Sequence, residues 1–165
     1  MADLVTHMAT GFLVKAATRK GHTATLVLGT VLPDLVARAP GLVFARLREA
    51  GAPIPETFVH APQVAHMPLG MLALGTVLAL LFHEPDRLAA WKNLVGGLFL
   101  HLALDLCQDH MGVGYMLAYP FSTWDFELRW LGSEATVLWA PWLGPLSVGL
   151  WWWRRPRENV AIQTP

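Results

Sequence analysis

Residues 68–83 read PLGMLALGTVLALLFH, and this stretch decides the class of fold because it is apolar and contains no charged side chain. It lies within a longer segment, residues 57–83, that contains no Asp, Glu, Lys or Arg. Residues 135–153 are also uncharged, end in three consecutive tryptophans and are followed by Arg154 and Arg155. A helix needs about 20 apolar residues to cross a bilayer core, and a tryptophan cluster followed by arginine is typical of a membrane interface. Both segments therefore predict membrane-spanning helices.

Three further apolar segments accompany these two. Asn93–Leu104 (NLVGGLFLHLAL) continues through Asp105 to Cys107 and predicts a third span. Leu4–Ala17 and Thr23–Asp34 are shorter, and at about 1.5 Å per residue each covers roughly 20 Å. These two segments are either short spans or half-buried helices packed on the bundle. The long segments would also suit the buried core helices of a soluble protein, an alternative that the composition disfavours.

The composition of the whole chain supports a lipid environment. Charged residues make up 15% of the 165 residues, whereas a soluble domain carries about 25%. We therefore expect an all-α integral membrane bundle of about four to five short helices, with residues 1–153 as one membrane-embedded domain and residues 154–165 as a short basic cytoplasmic tail. Basic and acidic residues balance, so no partner nucleic acid is expected. The single cysteine, Cys107, excludes an intrachain disulfide.

The distribution of Lys and Arg predicts the orientation of the chain. With the C-terminus in the cytoplasm, alternation through five segments puts more basic residues inside than outside, which agrees with the positive-inside rule. The basic residues left in the outer loops are Arg38, Arg46, Arg48 and Arg129. The first of these loops is expected to be proline-rich and to lie between Pro40 and Pro68. The N-terminus is then outside the cytoplasm.

The pair His101 and Asp105 is the sharpest local feature. At a spacing of four residues both side chains project from one face of a helix. Ionisable residues at membrane depth are costly, which makes such a pair a functional hypothesis by default. The two residues can share a divalent metal, or the carboxylate can orient the imidazole. The alternative is a polar pair that holds two helices together.

The five-segment topology brings further histidines and carboxylates to the same outer end of the bundle as this pair. The side chains placed there are His7, Asp34, His60, His66, His101, Asp105 and His110, and all of them are candidate ligands. Imidazole nitrogens together with carboxylate oxygens suit zinc or a similar divalent ion. We therefore expect a divalent metal, zinc in the first place, at the outer end.

A recognisable order of motifs runs through most of the chain. It consists of His7, Leu32-Pro33-Asp34, His66, His101-x-x-x-Asp105, Gly112-Val113 and Tyr119-Pro120-Phe121-Ser122. Over about residues 5–125 this order resembles a family of small bacterial inner-membrane, metal-dependent hydrolase-like proteins that includes a LexA-regulated inner-membrane protein. The resemblance implies a multi-pass protein of the bacterial inner membrane. It also implies a pool of metal ligands that consists of His7, Asp34, His66, His101 and Asp105, with His60, Asp109 and His110 as additional candidates. The ligand order is also similar to that of zinc-dependent phospholipase C and single-strand nuclease, whose zinc ions activate water against a phosphodiester.

The chain departs from that family at several positions of the expected site. Asp34 is followed by Leu-Val-Ala at residues 35–37 instead of a second acid and a histidine. The run from His60 to His66 lacks the Arg, Thr and Ser that the resemblance implies, and Gln108 stands where a threonine is expected. These departures favour one metal ion over two. They also leave open a degenerate, non-catalytic member.

The function expected from these features is metal-assisted hydrolysis in the membrane. The ion would make bound water more acidic and polarise a phosphoryl or acyl oxygen. Asp34 or Asp105 would act as the catalytic carboxylate, and Asp34 is preferred because we expect it at the mouth of a loop. A site at the outer boundary of the bilayer suggests a lipid or a lipid-linked phosphoester as substrate.

Two other functions compete with hydrolysis. The first is a non-catalytic membrane subunit that packs against membrane-protein partners, with a structural metal or a helix contact at His101 and Asp105. We expect such a cluster to be closed off by Met67, Met111 or Tyr115. The second is a haem-binding or ion-conducting protein, for which the sequence lacks an opposing mid-bilayer histidine and a polar span.

Overall fold

The computed structural model describes residues 3–19, 22–55, 57–58, 61–110, 114–132 and 135–154, and in these segments the regular structure is helical. The five α-helices are α1 (Leu4–Thr18), α2 (Thr23–Glu49), α3 (Pro68–Ala79), α4 (Arg87–Leu106) and α5 (Ala135–Arg154). Two 3₁₀ helices, Ala61–His66 and Glu84–Asp86, precede α3 and α4. The prediction of a small all-α bundle is confirmed.

The first and last helices agree closely with the apolar segments in the sequence. The side chain of Asp3 caps α1 by accepting a hydrogen bond from the backbone N–H of Thr6 at 2.9 Å. At the other end of α1, Arg19 takes a left-handed conformation with φ of 55° and stops the helix. Helix α5 begins at the first residue of the uncharged segment 135–153 and ends one residue beyond it.

Helix α2 corrects the prediction that this segment ends at the Pro33-Asp34 pair. It continues through both Pro33 and Pro40 to Glu49, so the first ten residues of the expected proline-rich loop are helical. A proline removes only its own N–H from the helical ladder, and packing against neighbouring helices compensates for that loss in membrane proteins. Asp34 consequently lies in the middle of a helix and is buried, not at the mouth of a loop.

The central helices also differ from the expected spans. Helix α3 covers Pro68–Ala79, about 18 Å, and is much shorter than the uncharged segment around it. Helix α4 begins at Arg87, before the apolar segment that starts at Asn93. Within the described residues, α2 is the one helix with both the length and the apolar composition to cross a membrane. The described helices therefore do not by themselves supply four or five spans.

A close crossing of α2 and α4 holds the bundle together. Gly29 and Gly97 face each other there, and a Cβ on Gly97 would lie 2.8 Å from Gly29 Cα and still closer to the carbonyl oxygen of Leu26. Only glycine allows two backbones to approach this closely. Helix α1 packs on α2 and α5, and α3 packs on α4. The crossing brings residue 30 of α2 beside residue 101 of α4.

The apolar side chains of the bundle face both inward and outward. The buried cluster is Leu32, Met71, Leu98, Leu102 and Tyr115. Large exposed side chains include Val77, Leu81, Leu138, Trp142 and Trp153. Of the most apolar 18-residue segment of α2, 39% is buried inside the protein. Exposed apolar surface on this scale marks contact with lipid or with other proteins.

Candidate metal centre

Five side chains from four separate elements meet at one end of the bundle. They are His7 of α1, Asp34 of α2, His66 at the end of the first 3₁₀ helix, and His101 and Asp105 of α4. Each is at most 3% exposed. These are the five residues that the sequence predicts as the ligand pool, and they lie together although a hundred residues separate the first from the last.

Asp105 occupies the centre of the first half of this cluster. Its Oδ1 lies 3.2 Å from His7 Nε2, and its Oδ2 lies 3.2 Å from His101 Nε2. The hydroxyl group of Tyr115 donates a hydrogen bond of 2.6 Å to the same Oδ2. The rings of His7 and His101 are stacked, with centroids 3.8 Å apart and an interplanar angle of 17°.

Asp34 occupies the centre of the second half. Its Oδ1 lies 3.4 Å from His66 Nε2 and 3.2 Å from Arg38 Nε. Its Oδ2 faces His7 Nε2 at 3.9 Å and makes no hydrogen bond with any described residue. The two halves are therefore joined through His7, and one oxygen of Asp34 keeps its lone pairs available.

The tautomer of His101 follows from its backbone partner. His101 Nδ1 lies 2.8 Å from the carbonyl oxygen of Thr30, and a carbonyl oxygen can only accept, so Nδ1 carries the proton. In the neutral imidazole, Nε2 is then an acceptor that faces the carboxylate of Asp105. Two acceptors 3.2 Å apart require a cation between them, either a proton or a metal ion.

The cluster offers a set of donor atoms that could hold a metal ion. Protonating His7 and His101 together would place two positive rings in a stack at 3.8 Å. Both Nε2 atoms are buried and make no hydrogen bond with the described residues. Leaving such atoms unsatisfied costs about 1–3 kcal/mol each, and imidazole with carboxylate is a donor set that zinc accepts.

The geometry favours a single ion. Two groups of three residues could each hold a metal ion. One is His7 with His101 and Asp105, and the other is Asp34 with His66 and His101. In each group the ligand atoms lie within 4.8 Å of one another. His101 belongs to both groups. Because its Nδ1 is held by Thr30, it has one lone pair for a metal and can serve one ion only.

The additional candidates do not join this cluster. His110 Nδ1 lies 3.0 Å from Glu127 Oε2, and Arg129 Nε donates to the other oxygen of Glu127 at 2.6 Å. These three residues form a separate polar group in the loop after α4. Asp109 is in neither group of possible ligands, and His60 lies outside the described residues.

Three groups shape the site besides the predicted ligands, and of these only Tyr115 was expected beside the cluster, as a side chain that closes it off. The carbonyl oxygen of Thr30 fixes the tautomer of His101. Burial and the neighbouring Asp105 raise the pKa of Tyr115 above its ordinary value, which keeps the hydroxyl protonated and donating. Arg38 was assigned to an outer loop, although its spacing of four residues from Asp34 would have indicated an ion pair on one helix face.

A pocket of about 200 Å³ reaches the cluster from one side. It is lined by Leu4, Asp34, Leu35, Arg38, Ala39 and Leu42. On the loop side, Tyr115 covers Asp105, so the cluster is closed there. The pocket therefore gives Asp34 the more open approach of the two carboxylates.

A family model described as YdjM inner membrane protein matches residues 1–164 of the chain. No curated protein and no solved structure matches it. The matched range includes all five clustered residues and every described helix. The description of that family states a location, the inner membrane, and names neither a metal nor a reaction.

Proposed function

This chain belongs to the YdjM inner membrane protein family, and from that premise we propose that it is a membrane-embedded metal-dependent hydrolase. The observation that carries the proposal is the buried cluster of three histidines and two carboxylates, in which Nε2 of His7 and Nε2 of His101 face Asp105 and make no hydrogen bond with the described residues. The substrate proposed is a phosphoester or a lipid-linked ester that reaches the cluster from the bilayer.

The proposed membrane arrangement is multi-pass, with the C-terminus in the cytoplasm. Helix α2 is long and apolar enough to span, and the exposed apolar side chains of α3 and α5 support their contact with lipid. The bias of Lys and Arg toward the cytoplasmic side supports the orientation. The C-terminal tail beyond Arg154 lies outside the described residues.

His7, His101 and Asp105 are the ligands we propose for the metal. They combine the shortest distances in the cluster with the stacked pair of rings. A divalent ion supplies Lewis-acid polarisation and makes water more acidic. Tyr115 keeps Asp105 in position by donating to Oδ2, as partners of metal-binding carboxylates commonly do.

Asp34 is the carboxylate we propose as the base. Its Oδ1 is held by Arg38 and His66, whereas Oδ2 is unpaired and the residue lines the pocket. In hydrolysis, the oxygen of water forms a bond to phosphorus while the bond from phosphorus to the leaving oxygen breaks. Asp34 accepts the proton from water and passes it to that leaving oxygen.

A non-catalytic membrane subunit is the second candidate function. Tyr115 supports it, because this side chain closes the cluster on the loop side as expected for a structural site. The pocket at Asp34 argues against it, since a purely structural site needs no approach for a substrate. Hydrolysis is therefore the function that the geometry supports best.

Metal content of the full chain, purified in detergent and measured by mass spectrometry, tests the proposal. We expect about one zinc-like ion per chain in the wild type, and its loss in His101→Ala and in Asp105→Ala. His83→Ala is the matched control, because this histidine is exposed and outside both groups of possible ligands.

Two results would contradict the metal centre. One is a wild type that takes up no stoichiometric ion after zinc and manganese are added. The other is retention of the ion in both His101→Ala and Asp105→Ala, provided that circular dichroism shows both variants folded. If the metal is present, hydrolysis of phosphoester and lipid substrates is then measured with Asp34→Asn as the variant expected to keep the ion and lose activity.

A further inference from the structure

We infer that Arg38 is the residue that recognises substrate, and that the pocket beside it takes the phosphate of a phosphodiester lipid. This inference rests on the proposed function, because it names the class of substrate for the same site. Arg38 itself lies outside both groups of possible metal ligands, although Asp34 beside it belongs to one of them. Four observations support it: the shape of the pocket, the donors of Arg38, the charge of the site and the exposure of the pocket walls.

The pocket follows one face of α2. Leu35, Arg38, Ala39 and Leu42 are spaced as neighbours on a helix surface, and Leu4 of α1 closes the opposite wall. Its lining contains two charged side chains, Asp34 at the inner end and Arg38 one turn further along the helix. A ligand in this pocket meets one cationic group within otherwise apolar walls.

Arg38 has hydrogen-bond donors to spare. Its Nε pairs with Asp34 Oδ1 at 3.2 Å, and no hydrogen bond from its terminal nitrogens occurs among the described residues. The guanidinium group has five N–H donors, and its planar fork matches the oxygens of a phosphate. The side chain is 38% exposed, so these donors are accessible from the pocket.

The charge of the site selects a monoanion. Asp34 and Asp105 are negative, Arg38 is positive and the histidines are neutral as ligands, so a divalent ion leaves one net positive charge. The single negative charge of a phosphodiester neutralises that positive charge. The second negative charge of a phosphomonoester would exceed it, and an uncharged ester would leave it unbalanced. Uncompensated charge is costly in an apolar environment.

The walls of the pocket suit acyl chains. Leu4, Leu35 and Leu42 are 42%, 47% and 63% exposed, and all three present apolar surface on the outside of the bundle. Leu35 and Leu42 belong to α2, the helix that is long and apolar enough to span a bilayer. The pocket is therefore open toward the hydrocarbon region, from which a lipid enters sideways.

Calorimetric titration of the zinc-loaded full chain in detergent tests the inference by binding alone. The probes are dihexanoyl phosphatidylglycerol, which carries one phosphodiester, the uncharged dihexanoylglycerol, and inorganic phosphate. We expect the phosphodiester lipid to bind more tightly than either of the others. Arg38→Gln should weaken its binding about tenfold, and Arg38→Lys should recover part of the loss.

Two further variants separate the pocket from the charge of the helix. Ala39→Phe places a large side chain in the pocket at an exposed position and leaves the Arg38–Asp34 pair in place. It should weaken binding of the lipid as strongly as Arg38→Gln does. Arg46→Gln removes one positive charge from α2 at an exposed site that pairs with Glu49, and should leave binding unchanged. Metal content is measured for every variant, and Arg38→Gln should retain its ion.

The outcomes distinguish this inference from the proposed function. If Arg38→Gln and Ala39→Phe bind the phosphodiester lipid as the wild type does, Arg38 is no recognition residue, whatever the metal content. Tighter binding of inorganic phosphate or of dihexanoylglycerol would also overturn the inference. A wild type without stoichiometric metal would overturn the hydrolase proposal and the argument from the charge of the site, whereas binding of the lipid that depends on Arg38 would still be evidence for the pocket.

Discussion

Two polar regions lie between α1 and α4, one partly buried and one fully buried, and they differ in how completely their atoms are paired. In the region away from the cluster, Lys15 Nζ donates to Asn93 Oδ1 at 2.9 Å, and Asn93 Nδ2 donates to the carbonyl oxygen of Ala89 at 2.7 Å. No unpaired side-chain atom of Lys15 or Asn93 occurs in the described part of the chain. Ordinary hydrogen bonds explain this region.

The metal-centre candidate lies two helical turns away along the same faces, and its polar atoms are not paired in this way. His7 is eight residues before Lys15, and His101 is eight residues after Asn93. Both imidazole nitrogens of His7 and Nε2 of His101 make no hydrogen bond with any described residue. The cluster is therefore both more deeply buried and less completely paired than the region of Lys15 and Asn93, which supports the proposal of a ligand there.

Chelation should produce the largest difference between the two regions. Removing a bound ion with EDTA should destabilise the wild type by about 4 kcal/mol when the ion was present at a thousand times its dissociation constant. For a chain of this size the midpoint of thermal unfolding in detergent should fall by about 10 °C. His101→Ala should show no further decrease on chelation, whereas Lys15→Met should show the same decrease as the wild type. Equal midpoints with and without EDTA in the wild type would remove the distinction between the regions.

The glycine between the two regions should give the next largest effect. Gly97 lies midway between Asn93 and His101, and a Cβ there would collide with the backbone of α2. We expect Gly97→Ala to destabilise the protein by about 1–3 kcal/mol and to lower metal content, measured by thermal unfolding and mass spectrometry. Gly96→Ala is the matched control, because its Cβ would meet only Leu26 Cδ1 at an ordinary 3.7 Å. Equal stability of the two variants would show that the close crossing is not required.

Replacing the Lys15–Asn93 pair tests whether that region is purely structural. Lys15→Met alone should cost about 1 kcal/mol, because the amide oxygen of the partly buried Asn93 loses its hydrogen-bond donor. Adding Asn93→Leu should recover most of that loss, since an apolar pair of similar size is often neutral. Metal content should stay at the wild-type level in both variants. A loss of metal in the double variant would connect the two regions functionally.

The smallest effect is expected at the edge of the cluster. Tyr115→Phe removes the hydrogen bond to Asp105 and leaves the packing of the ring in place. Affinity for zinc, measured by competition with a chelating dye, should fall about tenfold, with little change in unfolding. Tyr119→Phe changes the other tyrosine of the chain and serves as control. An unchanged affinity in Tyr115→Phe would show that the hydroxyl does not position Asp105.

The sequence predicted which residues meet, because their chemistry is unusual for an apolar chain. His7, Asp34, His66, His101 and Asp105 all stand within or beside apolar segments, where water cannot solvate them. Satisfying such groups inside a bundle requires that they face one another. Solvation, together with the expected order of the apolar segments and the resemblance in motif order, was therefore enough to collect them, even with helix ends misplaced.

The surroundings of Asp34 were predicted less well. Pro33 and Pro40 are typical of helix ends, and the segment after them contains arginines, so a loop was expected where α2 continues. Tertiary packing outweighed that local preference. Because Arg38 was placed in the loop, its pairing with Asp34 and its part in the pocket were missed. The carbonyl oxygen of Thr30 gives no signal in a sequence, because every residue type carries one.

The hydrogen bond from His101 Nδ1 to Thr30 makes the chemistry of an imidazole depend on the alignment of two helices. A shift of α2 along α4 by one residue would move that carbonyl oxygen by about 1.5 Å and release Nδ1. The proton would then be free to move to Nε2. With the proton there, Nε2 would donate a hydrogen bond to Asp105 and would no longer offer a lone pair. The close contact of Gly29 with Gly97 fixes that alignment, and it thereby also fixes which nitrogen of the ring carries the proton.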